Sequence, residues 1–157
     1  MAGDSAGGGL TMATLLALRE RGLPRPAAAV CISPWVDLTN SAASYATKAA
    51  VDPIVTLDSI ALLTQAYIGT GDPKQPLVSP LYADLRNLPP LLIHVGSDEV
   101  LLDDALGLAA RARTAGVDVT IREWPAMIHV WHWFLSMLDE ADQAIADIGA
   151  FVRARLG

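Results

Sequence analysis

Short apolar runs separated by helical repeats leave this chain few folds to choose from. Residues 27–33 (AAAVCIS) and 91–96 (LLIHVG) are almost continuously apolar and bounded by proline or glycine. That is the pattern of strands covered on both faces of a parallel sheet. Residues 117–124 (VDVTIREW) alternate instead: Val117, Val119 and Ile121 fall on one face, Asp118, Thr120 and Arg122 on the other. Alternation of this kind predicts a half-exposed strand near a sheet edge. Residues 10–21 read as a helix closed by Gly22 and Pro24, and residues 103–115 as one closed by Gly116. From Ala141 to Leu156 apolar residues recur at three- and four-residue steps, predicting an amphipathic helix lying flat on the sheet.

Helices alternating with strands in this order predict an α/β fold, a mostly parallel sheet flanked by helices and joined by right-handed crossovers. With 157 residues, 52% of them hydrophobic, residues 1–157 are expected to form a single domain around one core. The stretch between Asp37 and Pro90 holds one helical pattern, residues 57–67, amid Pro, Gly, Ser and Asp. An excursion of that length predicts part of a cap or lid.

Charge and cysteine content exclude several classes of function. The net charge is −6 and the 11 Lys and Arg residues are scattered, so no basic stripe is available for a nucleic-acid backbone. Cys31 is the only cysteine and lies in an apolar run, which leaves neither a disulfide framework nor a thiolate cluster for a metal. No basic segment followed by an apolar core opens the chain, and no apolar run approaches the ~18 residues of a membrane span. The expectation is a soluble, cytoplasmic protein.

Chemistry is concentrated at a few positions. Gly3-Asp4-Ser5-Ala6-Gly7 matches G-x-S-x-G, in which small residues let a tight strand-to-helix turn lift a serine hydroxyl clear of the sheet. A helix follows directly, and carboxylates and then histidines come later in the chain, the order acid and then base. The adjacent Asp98 and Glu99 after the second apolar run are the candidate acids. Asp103 and Asp104 are expected to cap the following helix. Of three histidines, His94 sits inside an apolar strand and reads as a core residue, and His132 is expected to pack with Trp131, Trp133 and Phe134. His129 follows the edge strand in a loop, 30 positions after Glu99, and is the candidate base.

GDSAGGGL at residues 3–10, SPWVDLTNS at 33–41, SPLYADLRNLPPLLIHVG at 79–96, EVLLDD at 99–104 and MIHVW at 127–131 occur in one order along nearly the whole chain. Together they resemble the bacterial hormone-sensitive-lipase-like (family IV) carboxylesterases of the α/β-hydrolase fold, from the nucleophile elbow onward. The resemblance implies the C-terminal half of such a fold, a partial catalytic domain. It implies Ser5 as nucleophile, His129 as base and the Ala6 N–H as oxyanion donor. The family acid position falls on Glu99, with Asp98 as the alternative.

Hydrolysis of small, short-acyl esters through an acyl-enzyme is the expected activity, with neither metal nor organic cofactor. An amide or acetylated-sugar substrate is an alternative, as is a catalytically silent scaffold acting through association. The HGGG-type segment that the family carries upstream of the nucleophile does not occur in residues 1–157, nor does any His-Gly dipeptide, so impaired activity is expected. The strand leading into the elbow is expected to be missing and residues 27–33 to form an open edge. A homodimer or higher oligomer is therefore expected, or association with an N-terminal half.

Overall fold

The computed structural model describes residues 1–156. Four parallel strands form one sheet: β1 (Ala2–Asp4), β2 (Ala29–Ile32), β3 (Leu91–Gly96) and β4 (Val119–Trp124), ordered as in the sequence. Helices α1 (Ala6–Glu20) and α4 (Leu102–Thr114) cross over between neighbouring strands. Strand order advances steadily in one direction, so crossovers of one hand place both helices on the same face. Their residues Met12, Leu15, Leu16, Ala105, Leu108 and Ala112 bury against Cys31, Leu91, Ile93 and Val95 to make the main core. Both helices stop where a glycine takes positive φ, Gly22 at 63° and Gly116 at 80°. In each case the following N–H reaches back five positions in the chain, Leu23 to the Leu18 carbonyl and Val117 to that of Ala112.

Two expectations about the sheet are corrected. A strand does lead into the elbow: Ala2, Gly3 and Asp4 pair in parallel with Val30, Cys31 and Ile32. Three residues are too short to register as a strand by periodicity. Consequently β2 is an internal strand, flanked by β1 and β3, and the open edge on that side belongs to β1. At the opposite edge β4 is half-exposed, as its alternation predicts.

Helix α5 (Asp139–Leu156) packs on the other face, with Ala141 and Ala144 buried against Trp131. It does not lie flat throughout, because Ile145 is 39% and Leu156 71% exposed. The sheet presents its covered surface to α5 mainly at β3 and around Trp131, so the remaining stripe runs past the strands.

Between β2 and β3 the chain makes the short helix α2 (Ser44–Thr47), helix α3 (Leu57–Ile68) and a 3₁₀ turn (Pro80–Tyr82). Trp35, Leu38, Tyr45 and Ile60 form a second core with Val100 and Leu101. Buried carboxylates stitch this irregular backbone down. Asp104 Oδ2 accepts the N–H groups of Val36 and Asp37, both at 2.9 Å, while Asp52 accepts those of Ile54, Val55 and Val100. Asp103 Oδ2 accepts the Ser44 N–H at 2.8 Å. Asp103 and Asp104 do lie in the first turn of α4, at the positive end of its dipole, but their side chains bind loop backbone and the helix start carries no side-chain cap. Each buried N–H left without water needs such a partner, which is why acids are found inside.

Candidate active site

Ser5 occupies the turn between β1 and α1 with φ 53° and ψ −123°, a conformation that a non-glycine residue holds only when its surroundings over-determine it. They do so here. The Ser5 N–H donates to the Ile32 carbonyl at 2.9 Å, and the Ser5 carbonyl accepts from Gly8, Gly9 and Trp35 at 2.9, 3.3 and 3.0 Å. Glycine is needed because backbones meet: a Cβ on Gly8 would lie 2.7 Å from that of Pro34, and one on Gly9 would run into the Trp35 carbonyl. Ala6 is the first residue of α1, so its N–H has no acceptor within the helix and is available beside the hydroxyl.

Glu99 and His129 meet from either side of the sheet's end. His129 Nδ1 lies 2.7 Å from Glu99 Oε2, while Glu99 Oε1 accepts the Gly96 N–H at 2.9 Å. Glu99 is 0% and His129 3% exposed, so this charge-assisted bond is shielded from water. A carboxylate only accepts, so the proton sits on Nδ1 and leaves Nε2 as the basic atom. Asp98 is oriented elsewhere, toward Lys48 Nζ at 3.5 Å, with its side chain 36% exposed. Of the two adjacent acids, Glu99 is the one brought to the imidazole.

Several residues that sequence reasoning passed over shape the His129 loop. A Cβ at Gly96 would strike the Met127 carbonyl, so glycine lets the loop cross the end of β3. Val130 takes φ 51°, and its N–H donates to the buried Ser33 Oγ at 3.1 Å. Ser33 is itself at φ 45°, with its N–H on the His94 carbonyl at 2.7 Å. Nothing in the local sequence around Ser33 marks it, since its partner lies 97 positions away. His132 packs at a tilt against Trp131, ring centroids 4.0 Å apart and planes at 43°, but Trp133 is 67% exposed and takes no part in that packing.

Ser5 and His129 line one cavity of about 350 Å³, walled by Trp35, Ile60, Leu63 and Leu101. A second, more apolar cavity of about 320 Å³ adjoins it, sharing Trp35 and Leu63 and resting against Ala6 and Gly7. Among the described residues no hydrogen bond joins Ser5 Oγ to His129, and catalytic bonds of this type commonly tighten only with substrate present. No cluster of three His, Cys, Asp or Glu side chains suited to a metal occurs among the described residues. No helix among them is long and apolar enough to cross a membrane.

Comparison with known proteins places this geometry in context. A family model described as alpha/beta hydrolase fold matches residues 1–133. An acetyl-hydrolase of Streptomyces hygroscopicus is 50% identical over 157 residues, covering 100% of this chain and 52% of that protein. An esterase of Acinetobacter venetianus is 35% identical over 153 residues, covering 96% of this chain and 50% of that protein. A solved structure of an esterase from the bacterial hormone-sensitive lipase (HSL) family superposes with a TM-score of 0.97 at 51% identity, covering 99% of this chain and 52% of that one. The chain spans about half the length of the curated relatives it matches.

Proposed function

This chain belongs to the α/β-hydrolase fold family, in its bacterial hormone-sensitive-lipase-like branch, and from that membership we propose that it is the nucleophile-bearing part of a serine carboxylesterase. The observation that carries the reading is a Glu99–His129 pair at 2.7 Å opening on the same cavity as a serine held at positive φ. In this reading His129 Nε2 takes the Ser5 hydroxyl proton as Oγ attacks the ester carbonyl. The Ala6 N–H receives the developing oxyanion, and Glu99 keeps the imidazole in the Nδ1–H tautomer and stabilises its charged form. His129 then returns the proton to the leaving alcohol, and water repeats the sequence on the acyl-enzyme.

The two cavities suit the two arms of an ester. The alcohol must leave beside His129, which protonates it, so the larger cavity takes the alcohol arm. The acyl arm then lies on the side of Ala6, in the apolar cavity of about 320 Å³, a size that supports small, short-acyl substrates. The acetyl-hydrolase name of the Streptomyces relative makes acetyl esters the first to test.

A fluorophosphonate probe tests the proposal. Mass spectrometry is expected to find the label on Ser5 and on no other serine, and to find none in Ser5→Ala. Labelling elsewhere would sink the assignment of Ser5, and no labelling of any serine would favour the silent-scaffold alternative.

A further inference from the structure

Two buried histidines outside the pair just described are joined to each other and to a carboxylate. His132 stands three residues after His129, in the 3₁₀ turn Trp131–Phe134, and is 6% exposed. Its Nε2 lies 3.1 Å from Nδ1 of His94, a fully buried residue of β3. His94 Nε2 in turn lies 3.0 Å from Asp147 Oδ2 on α5, and Arg122 of β4 approaches the same oxygen at 3.5 Å. Four segments of the fold are thus tied in sequence: the turn after the candidate base, a central strand, the last helix and the edge strand.

The proton positions along this chain follow from its one anchored end. Asp147 can only accept, so His94 Nε2 carries a proton and donates it. Burial holds His94 neutral by pushing its pKa down, which leaves Nδ1 a bare acceptor. His132 Nε2 must then be the donor, and His132 Nδ1 is left bare, consistent with its lack of any partner among the described residues. One carboxylate near the surface therefore selects the tautomer of two rings in succession. His94 also accepts the Ser33 N–H on its carbonyl, and Ser33 Oγ accepts the N–H of Val130, next to His129. Two of the polar attachments that flank His129, through Ser33 on one side and His132 on the other, thus lead to this one residue.

We propose that Asp147, His94 and His132 form a positioning relay that locks the loop carrying His129 in its cavity-facing arrangement. None of the three touches the cavity that Ser5 and His129 line. The relay acts on reactivity only through the orientation of His129, and in that respect it rests on the serine-hydrolase reading. Its physical basis is that a buried polar chain is stable in one arrangement only: rotating either imidazole strands a donor or an acceptor in an apolar surround of Trp124 and Trp131. A loop held by packing alone has no such penalty for small displacements. Misplacement of a reacting group by about 1 Å costs up to about a hundredfold in rate.

The test compares His132→Phe, His132→Gln, Asp147→Ala and the double variant His132→Phe/Asp147→Ala in the full chain. Gln can still donate to His94 Nδ1, whereas Phe cannot. Imidazole ¹⁵N–¹H correlation spectra report all three tautomers whether or not the protein is an enzyme. The wild type is expected to show Nε2–H at His94 and His132 and Nδ1–H at His129. His132→Phe and Asp147→Ala should each disorder the His129 tautomer and slow Ser5 phosphonylation at low temperature by about tenfold or more. His132→Gln should restore most of both, and the double variant should be little worse than either single one. Unchanged His129 spectra in folded Asp147→Ala, a variant at a half-exposed helix position, would overturn the relay even if stability falls. Absence of any Ser5 labelling in the wild type would count against the esterase reading alone, since the spectra judge the relay independently.

Discussion

Glu99→Gln is the substitution with the sharpest consequence. It changes one atom in a side chain whose two oxygens face partners of different kind. The Gly96 N–H is a fixed donor, so the one remaining carbonyl oxygen of glutamine must stay with it. The amide NH₂ is then directed at His129 Nδ1, which must give up its proton and accept. The proton moves to Nε2, the atom required as base, and the ring is neutral, well placed and in the wrong tautomer. Inverting a triad tautomer in this way costs about 10⁴ in turnover, equivalent to about 5 kcal/mol of transition-state stabilisation. The loss of stability should be smaller, about 1.5–3 kcal/mol for one charge-assisted hydrogen bond. The assay is the rate of Ser5 phosphonylation beside a urea titration. Asp98→Asn, at a half-exposed carboxylate 3.5 Å from Lys48 Nζ, should change the rate less than about fivefold by the surface-pair energies of about 0–1 kcal/mol. A Glu99→Gln rate within tenfold of wild type, or an Asp98→Asn rate below it, would refute the assignment of the acid.

Other outcomes follow from the same contacts. Gly9→Ala forces a methyl against the Trp35 carbonyl, which is backbone and cannot step aside, so a destabilisation of about 1–3 kcal/mol is expected in urea unfolding; wild-type stability would mean the elbow is looser than described. Burial lowers the His132 pKa from 6.5 to about 3, so the unfolded chain binds a proton there that the folded one does not. Stability should therefore fall as pH drops below about 6.5, by about 2 kcal/mol from this group at pH 5. Asp104 has the opposite sign, since burial raises its carboxyl to about 7 and the folded state gains a proton as pH falls toward 4. The difference in pH slope between wild type and His132→Phe isolates the histidine, and equal slopes from pH 7.5 to 5 would show that it titrates normally. If further oxyanion donors are supplied by co-expressing the N-terminal half of a related esterase, hydrolysis of p-nitrophenyl acetate should rise by at least about 10²-fold; complex formation without that gain would mean the donors are already complete in this chain.

Local regularities were legible in the sequence. The apolar runs became β2 and β3, the alternating run became the half-exposed β4, and each glycine stop fell at a helix end. Periodicity and turn chemistry are set by neighbours along the chain and survive without knowledge of the fold. The elbow motif was legible for a related reason, because a crowded turn admits only small residues at fixed spacing around Ser5. What failed to register was short or distant. Three residues of β1 carry no periodicity, and they become a strand only because β2 lies alongside. Asp103 and Asp104 are legible as helix-start acids, but the loop N–H groups they satisfy appear only when α4 is set beside residues 36–44. Asp98 and Glu99 are neighbours of like charge, and only the turn after β3 decides which faces His129 and which faces Lys48. The hydrogen bonds of Ser33, His94 and Asp147 span 25 to 97 positions. Such contacts exist because burial leaves polar groups no water to turn to, and burial is a property of the packed chain rather than of any segment of it.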